Sequence, residues 1–297
     1  MTPPDISVVV PTIERVALLE RCLRGLSRQR DVTYEVIVVH NGRPGVLELL
    51  ERWRDRLPLR GIPTGAKGAS AKRNEGWRAA GADLVAFTDD DCEPSAHWLS
   101  QLISGFVDPL VELVQGTVSP HPEDGDVGGV FARTIEVNRP TVTFPNANLA
   151  YRWEALSRVG GYDETLSAGE DTDLAWRVLE SGGRSAFVHD ALVWHAVRPV
   201  DLRAHLKSLP RWGSLAEVVR RHPDLRSEAH RRIFWKRSHV TAWLALAGLA
   251  AAPLDRRALT LLLPHLFERR HPALVVTDWV ECAVLAGGSL RARSLLL

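Results

Sequence analysis

The segment 83–94 reads DLVAFTDDDCEP, an apolar strand that runs directly into the carboxylates Asp89, Asp90 and Asp91. Like charges repel, so a strand end that collects three of them commonly has a cation to neutralise them. Carboxylate oxygens suit a hard ion such as Mg²⁺ or Mn²⁺, which also binds phosphate oxygens. The alternative is a solvated acidic turn that caps the helix starting near Ser95. We favour a metal site, with Asp89 and Asp91 on one face of the strand end.

Outward from this segment, short apolar strands alternate with amphipathic helices. The predicted strands cover residues 6–10, 34–39, 83–88 and 111–118, and the predicted helices cover residues 15–26, 46–53, 68–80 and 98–106. This alternation predicts right-handed crossovers and a mainly parallel sheet. Because ligands of such sheets bind beyond the carboxyl ends of the strands, we expect the polar residues around Thr12, His40 and Asp89 to converge on one rim.

Composition narrows the class of protein. The chain has 297 residues, 45% of them apolar, enough for one large α/β domain with or without a helical region. A net charge of +1 argues against a general nucleic-acid binder. The three cysteines are scattered without a CxxC pair, which is typical of a reducing compartment. The N-terminus shows no signal-peptide pattern, so we expect a cytoplasmic protein.

A second acidic motif, GEDTDL, occupies residues 169–174. Acids in the first turn of a helix interact favourably with the helix dipole, which explains Asp173 and Glu170 without any function. The functional interpretation is that Asp171 is a general base, which takes the proton from an acceptor hydroxyl as that oxygen attacks a sugar. The motif alone leaves both interpretations open.

Two basic side chains are weaker candidates. Arg73, in GASAKRNEG (residues 68–76), can bind a diphosphate in bidentate fashion, although an ordinary exposed arginine is the alternative. His195 ends an apolar strand downstream of both acidic motifs and is either a metal ligand or a core histidine. The chain carries no Walker loop, GxGxxG or GxSxG motif, which removes the main support for three common enzyme classes.

Together these motifs resemble the family 2 inverting glycosyltransferases with the GT-A fold, over roughly residues 6–199. The family's elements occur in order: VVVPT (residues 8–12), AKRNEG (71–76), DDD (89–91), and an acceptor half with NANLA (146–150), GGYDE (160–164) and the acidic pair 170–171. The resemblance implies a Rossmann-like nucleotide-diphospho-sugar transferase domain with a mainly parallel sheet. It also implies metal assistance by Mn²⁺ or Mg²⁺.

The resemblance gives roles to individual residues. Asp91 is implied as the metal ligand, Asp171 as the catalytic base, and Arg73 as a side chain that faces the donor. We expect the donor to contact Pro11, Thr12, Glu14, His40, Arg73, Asp89 and Asp90, the metal to be held by Asp91 and His195, and the acceptor side to include Asn148, Trp153 and Glu170. The implied reaction is one displacement with inversion at the sugar.

Two positions depart from the family pattern. His40 stands where the family usually has an acid that meets the nucleobase, and Ile13 stands where an aromatic residue often comes after the Pro-Thr pair. Both changes leave the metal ligand and the base intact. A UDP-sugar donor is favoured, and guanosine or thymidine donors remain open.

The predicted organisation is a GT-A domain at residues 1–200 and a helical region at 201–297. Within the GT-A domain, residues 1–118 form the donor half and 119–200 the acceptor half, with a loop at 121–129 that can close over the donor. The helical region is rich in arginine before an apolar run at 240–252. That run is shorter than the ~20 residues of a spanning helix. Two interpretations remain open: peripheral contact with the inner face of a membrane, or helices that pack on the catalytic domain or form an oligomer.

The acceptor is predicted as a carbohydrate, a lipid-linked molecule or a natural product, because the tail is similar to those of some bacterial family 2 enzymes. Two alternative functions compete with sugar transfer. A nucleotidyltransferase that makes nucleotide sugars needs a Gly-rich basic loop after the first strand, and residues 11–15 do not supply one. A non-catalytic nucleotide-sugar-binding protein would not need the base Asp171.

Overall fold

The structure is a computed structural model that describes residues 3–13, 15–125 and 130–297. Glu14 and the part of the predicted loop at 126–129 therefore lie outside the described residues. The chain divides into two compact units. The first unit comprises residues 1–127, 133–165 and 170–198, and the second unit comprises residues 128–132, 166–169 and 199–297. The predicted division into donor and acceptor halves stays a prediction.

In the described part of the chain, ten strands and eleven α-helices have the following bounds. The strands are β1 Ile6–Pro11, β2 Tyr34–His40, β3 Leu59–Pro63, β4 Leu84–Phe87, β5 Cys92–Pro94, β6 Val111–Pro120, β7 Ala132–Arg133, β8 Leu149–Arg152, β9 Arg184–His195 and β10 Arg198–Pro199. The helices are α1 Val16–Leu26, α2 Pro44–Trp53, α3 Ala69–Arg78, α4 Trp98–Ser104, α5 Trp153–Val159, α6 Glu170–Glu180, α7 Leu202–Ser208, α8 Leu215–Arg221, α9 Arg237–Ala251, α10 Leu263–Arg269 and α11 Pro272–Ala292.

Eight of the strands form one sheet in the order β3-β2-β1-β4-β8-β6-β9-β5. Four neighbouring pairs are parallel, and β8 lies antiparallel between β4 and β6. The predicted α/β fold with a mainly parallel sheet is confirmed. The β8 insertion pairs Phe87 with Leu149, so residues 146–148 lie beside the end of β4. There the hydroxyl of Thr88 donates a hydrogen bond of 2.9 Å to the carbonyl of Ala147.

Apolar layers cover both faces of this sheet. On one face, Val8 and Val10 of β1 pack in a cluster with α1 and α2, and on the other face Val9 packs with Trp77 and Phe87. A strand that is buried on both faces needs apolar residues at consecutive positions, not at alternate ones. For this reason, the sequences of β1 and β4 are continuous apolar runs, which the sequence analysis recognised as strands.

The sequence analysis did not predict β3, β5, β7, β8 or β10, and two of these, β3 and β8, lie in the large sheet beside predicted strands. β3 is an edge strand whose residues are exposed or half-buried, so its sequence LRGIP lacks an apolar run. β8 was not predicted because it is only four residues long and lies in a stretch dense in polar residues and glycines. Both strands are held by pairing with neighbours distant in sequence, which local patterns do not encode.

The second unit is helical from residue 202 onward, as predicted. Its 21-residue helix α11 contains an 18-residue window with a mean hydropathy of 1.4, and by length and composition it resembles both membrane-spanning helices and core helices of soluble proteins. The sequence analysis did not single out this helix, because Asp278 and Glu281 interrupt it. Both carboxylates are neutralised: Arg269 Nε lies 2.5 Å from Asp278, and Lys236 Nζ lies 2.6 Å from Glu281.

Candidate active site

The three carboxylates after β4 point in different directions. Asp90 is only 1% exposed and accepts hydrogen bonds from the Thr12 hydroxyl at 2.7 Å and the Ile13 amide at 3.3 Å. It therefore ties the end of β4 to the turn after β1. Asp91 is also buried, whereas Asp89 is half-buried. The structure thus brings Thr12 to the acidic triplet, as the rule for parallel strand ends predicts.

Two arginines that the sequence analysis missed neutralise this triplet. Arg15 forms ion pairs with both Asp90 and Asp91, and Arg198 Nη2 lies 3.3 Å from Asp91 Oδ2. Burial raises the pKa of Asp90, while the Arg15 guanidinium opposes that rise. Arg15 comes shortly after β1, and this place beyond a strand end could have marked it as a site residue. No sequence pattern marks Arg198 in this way, because its position depends on the path of the chain after His195.

A divalent cation fits the donor set around Asp91. The side-chain donor atoms of Asp91, Cys92 and His195 lie within 4.8 Å of one another, and Asp91 Oδ1 is 3.6 Å from His195 Nε2. Burial and the nearby aspartates raise the pKa of the Cys92 thiol well above its usual value, so the thiol stays protonated and is a weak ligand. A carboxylate oxygen and an imidazole nitrogen remain, a set that suits Mn²⁺. The guanidiniums at Asp91 show that this position attracts positive charge.

Arg73 links the two acidic motifs. Its guanidinium is nearly buried and lies 2.6 Å from Asp89 Oδ1 and 3.5 Å from Glu170 Oε1. The same group stands 5.7 Å from the ring centre of Tyr162, within the range of a cation–π contact. Burial alone would lower the pKa of Arg73, but the neighbouring carboxylates raise it. The predicted alternative of an exposed arginine on a helix is therefore wrong.

Lys72, which the sequence analysis did not consider, joins the ends of β1 and β2. Its Nζ donates to the Thr12 carbonyl at 2.5 Å and also to the Asn41 side chain. His40, the last residue of β2, is 2% exposed, and its Nδ1 accepts a hydrogen bond from the Gly42 amide at 3.1 Å. Burial and the Lys72 charge lower the pKa of His40, so the ring is neutral near pH 7.

Asp171 lies in the first turn of α6. The Thr172 amide donates to its Oδ1 at 2.8 Å, and the Thr172 hydroxyl donates to the Thr143 carbonyl at 2.7 Å, which anchors the start of the helix. Burial, with the Glu170 carboxylate beside it, raises the pKa of Asp171 to about 7. By contrast, Asp173 is fully buried and pairs with Arg177 at 2.8 Å, so its role is structural. The two acids of one motif thus lie in different surroundings, one beside Glu170 and the other paired with Arg177.

The predicted acceptor-side residues Asn148 and Trp153 hold the fold together. The Asn148 amide donates to the carbonyls of Thr117 and Ala191 at 2.8 and 2.7 Å, and its oxygen accepts from the Trp98 indole at 2.8 Å. Trp153 Nε1 donates to the Trp77 carbonyl at 3.2 Å. Among the described residues, neither side chain has a hydrogen bond to the two acidic motifs, whereas Glu170 reaches Arg73.

Replacing Asn148 by Leu is expected to destabilise the first unit by about 3 kcal/mol or more. The change removes three buried hydrogen bonds, to the carbonyls of Thr117 and Ala191 and from the Trp98 indole N–H, and puts an apolar side chain beside these polar groups. Urea unfolding followed by tryptophan fluorescence measures the loss, and Asn138→Leu at an exposed position is the matched control. An unchanged unfolding midpoint in the Asn148 variant would show that this side chain does not hold the strands.

Comparisons with known proteins agree with this geometry. The sequence profile described as "Glycosyl transferase family 2" matches residues 7–159, and "Glycosyl transferase family group 2" matches residues 84–284. The chain is 33% identical over 236 residues to the pre-mycofactocin glycosyltransferase of Mycobacterium tuberculosis, covering 74% of this chain and 48% of that one. It is 28% identical over 210 residues to glycosyltransferase AglE of Haloferax volcanii, covering 67% and 69%. The chain spans about half the length of the mycobacterial relative.

Two solved structures have the same fold. The mannosyltransferase PcManGT from Pyrobaculum calidifontis, in complex with GDP-Man and Mn²⁺, aligns with a TM-score of 0.68 at 21% identity, over 99% of this chain and 88% of that one. Residues 1–349 of TarS from S. aureus, in complex with UDP-GlcNAc, align with a TM-score of 0.56 at 17% identity, over 98% and 92%. These likenesses confirm the predicted GT-A fold.

Proposed function

Because the chain belongs to glycosyl transferase family 2, we propose that it transfers a sugar from a nucleotide-sugar donor to an acceptor hydroxyl, with metal assistance and inversion at the sugar. The observation that carries this proposal is the bridge made by Arg73. It joins Asp89, on the donor side, to Glu170, the neighbour of Asp171. A donor-side group and a base are thereby held on one framework, as a direct displacement requires.

On the donor side, Asp91 and His195 would hold the divalent ion. When bound, the ion would supply positive charge that stabilises the negative charge developing on the leaving diphosphate. The chain adds positive charge of its own, because Arg15 and Arg198 already lie at Asp91. Guanidiniums match phosphate oxygens in bidentate geometry, so we assign both arginines to the diphosphate as well.

On the acceptor side, Asp171 accepts the proton of the attacking hydroxyl. The oxygen forms a bond to the anomeric carbon while the bond from that carbon to the diphosphate breaks, and the proton stays on the Asp171 carboxyl. One displacement from the opposite face inverts the configuration. A base with a pKa of about 7 is suited to this step, because a large fraction of it is ionised near neutral pH and the carboxylate is still basic.

For the donor nucleotide, we propose a UDP-sugar. Support comes from the resemblance to the family and from the TarS neighbour with UDP-GlcNAc, whereas the PcManGT neighbour holds GDP-Man. His40 is the residue of this chain at the position where the family contacts the nucleobase. Its neutral ring would present no charge to the nucleobase. The proposed acceptor is a carbohydrate, a lipid-linked molecule or a natural product.

Product analysis tests the reaction class. Incubation with UDP-, GDP- and TDP-sugars, Mn²⁺ and simple sugar or lipid-linked acceptors is expected to release nucleoside diphosphate. A nucleotidyltransferase would instead release pyrophosphate from a nucleoside triphosphate and a sugar phosphate. A protein that binds donors tightly and never turns them over with any acceptor, or in hydrolysis, would contradict the proposal in favour of a binding protein.

The rate of transfer is expected to rise with pH through about 7. Below the pKa, the Asp171 carboxyl is already protonated and is too weak a base to take the acceptor proton; above the pKa, the basic carboxylate is present. A single group with this pKa predicts that kcat/KM falls about tenfold between pH 8 and pH 6. The measurement is kcat/KM in steps of pH at constant ionic strength. A profile that is flat across this range would remove Asp171 from the role of base.

A further inference from the structure

A dense group of exposed apolar side chains lies in the second unit. Its members are Leu244, Leu249, Leu254, Leu259, Leu261, Leu263, Leu266 and Phe267, which we call the leucine surface. They make up eight of the 17 large exposed apolar residues in the described part of the chain, within 24 residues of sequence. Single exposed leucines need no explanation, but a concentration of this kind marks an interaction surface.

Two helices that carry part of the leucine surface, α9 and α10, have small and polar residues at their buried positions. On α9, the buried positions include His239, Ala242, Ala245 and Gly248, whereas Leu244 and Leu249 are exposed. A methyl group at Gly248 would meet the Ala258 carbonyl at 2.6 Å, so close packing requires glycine there.

The short helix α10 repeats this arrangement. Its one buried residue is His265, which is fully covered, whereas Leu263, Leu266 and Phe267 are exposed. A helix of a soluble domain normally has the opposite polarity, with its large apolar residues toward the core. Small and polar residues inside with leucines outside suit an apolar environment on the outer side.

Positive charge accompanies the leucine surface. Arg256, Arg257 and Arg270 are exposed, and no ion pair involves them among residues 3–13, 15–125 and 130–297. The two acids of the same stretch are engaged within the fold. Asp255 accepts from the Arg257 amide at 2.9 Å, and Glu268 accepts from the Thr241 hydroxyl at 2.6 Å.

These arginines come after the apolar run at 240–252, whereas the arginine-rich part noted in the sequence comes before it. In that earlier part, Arg220 and Arg221 both pair with Glu217. Arg256, Arg257 and Arg270 lie within or directly after the leucine surface in sequence.

We propose that residues 244–270 dock on an anionic phospholipid surface, with the leucine surface at the boundary of the acyl chains and the three arginines at the phosphates. Apolar side chains interleaved with arginines are the combination that binds such a surface. A protein partner is less well matched, because leucine is under-represented among the residues that dominate protein interfaces. The docking surface goes beyond the proposed function, and its test reads binding, not sugar transfer.

Sedimentation of the full chain with vesicles tests this proposal. Vesicles of phosphatidylcholine with roughly one-third phosphatidylglycerol should bind the protein, and vesicles of phosphatidylcholine alone should bind it more weakly. Leu254 and Phe267 are 92% and 74% exposed, so changing both to Ser leaves the core intact. The double variant should lose at least about tenfold in partitioning to both kinds of vesicle.

Two further variants complete the design. Arg256→Gln with Arg257→Gln should weaken binding by about fivefold per charge, and only on the anionic vesicles. Val107→Ser is the matched control, because Val107 is 85% exposed in the first unit and should leave partitioning unchanged. Circular dichroism confirms that each variant is folded.

Three results would overturn the proposal. The first is a folded wild-type chain that ignores anionic vesicles. The second is a leucine-surface variant that turns an oligomer into a monomer without any change in vesicle binding, which would make the surface a protein interface. The third is retention in membranes through alkaline carbonate extraction, which would indicate a spanning helix such as α11 instead of peripheral docking.

Discussion

Replacing Asp171 by Asn is expected to lower kcat for sugar transfer by roughly a thousandfold, because a general base of this kind contributes about 10²–10⁴ in rate. Asparagine has nearly the same shape, and its side-chain oxygen can still accept the hydrogen bond that the Thr172 amide donates to Asp171 at 2.8 Å. The variant loses the group that can take the acceptor proton. Donor affinity should stay within about twofold, because the change affects the transition state and not the ground state.

The matched control is Asp173→Asn, two positions along the same helix. Asp173 is buried and paired with Arg177, so this variant should be less stable but retain most of its transfer rate per folded molecule. The measurement is initial rate at saturating donor, with donor affinity taken from calorimetric titration. Full turnover by Asp171→Asn would show that another group is the base.

Asp91→Ala is expected to weaken donor binding in the presence of Mn²⁺ by about 100-fold, an order of magnitude typical for the loss of a metal contact. Asp91 is the shared partner of Arg15, Arg198 and His195. Its removal takes away the carboxylate that would hold the ion and leaves two guanidiniums without that partner. In wild type, chelation of divalent ions by EDTA should reproduce the same loss, and added Mn²⁺ should reverse it.

Cys92→Ala is the matched control at the adjacent position. The thiol lies close to Asp91 and His195, but its raised pKa keeps it protonated, so its removal should leave the metal effect within about twofold. Titration of the donor with and without Mn²⁺ in the three proteins gives the comparison. Undiminished metal dependence in Asp91→Ala would exclude this carboxylate as the ligand.

Sequence patterns predict the parts of the site that depend on the burial of single strands and on the position of residues after strand ends. The runs of β1 and β4 are apolar at consecutive positions because both sheet faces are covered, and the residues after parallel strands lie at one edge of the sheet. That rule predicts that Thr12 lies near the acidic triplet, and the hydrogen bond from Thr12 to Asp90 agrees with it.

Other parts of the site depend on contacts between distant segments. Arg198 reaches Asp91 only because β9 runs beside β5 in the sheet, and no pattern near residue 198 encodes that pairing. Lys72 is buried although it is a lysine, because two oxygen acceptors from different strand ends meet its ammonium group. Asn148 resembled an acceptor contact by motif, yet its amide is fully used inside the fold.

The second unit shows the same limit for helices. By composition alone, residues 240–252 were the apolar run that drew attention in this region. The longer apolar helix α11 was overlooked. Whether a leucine faces inward or outward is decided by packing partners such as Ala258 against Gly248, and the sequence does not state those partners. The inside-out polarity of α9 and α10 is therefore a finding of the structure.

The proposed function requires that a nucleotide sugar binds at the strand ends around Asp89–Asp91. The most direct measurement is the thermal unfolding midpoint of the purified chain with a panel of UDP-, GDP- and TDP-sugars, each with and without Mn²⁺. We expect one nucleotide class to raise the midpoint by about 5 °C at roughly a hundred times its Kd. Mn²⁺ should strengthen the shift, and Asp91→Ala should abolish the Mn²⁺ effect. An unchanged midpoint with every donor, with or without metal, would contradict the proposed function.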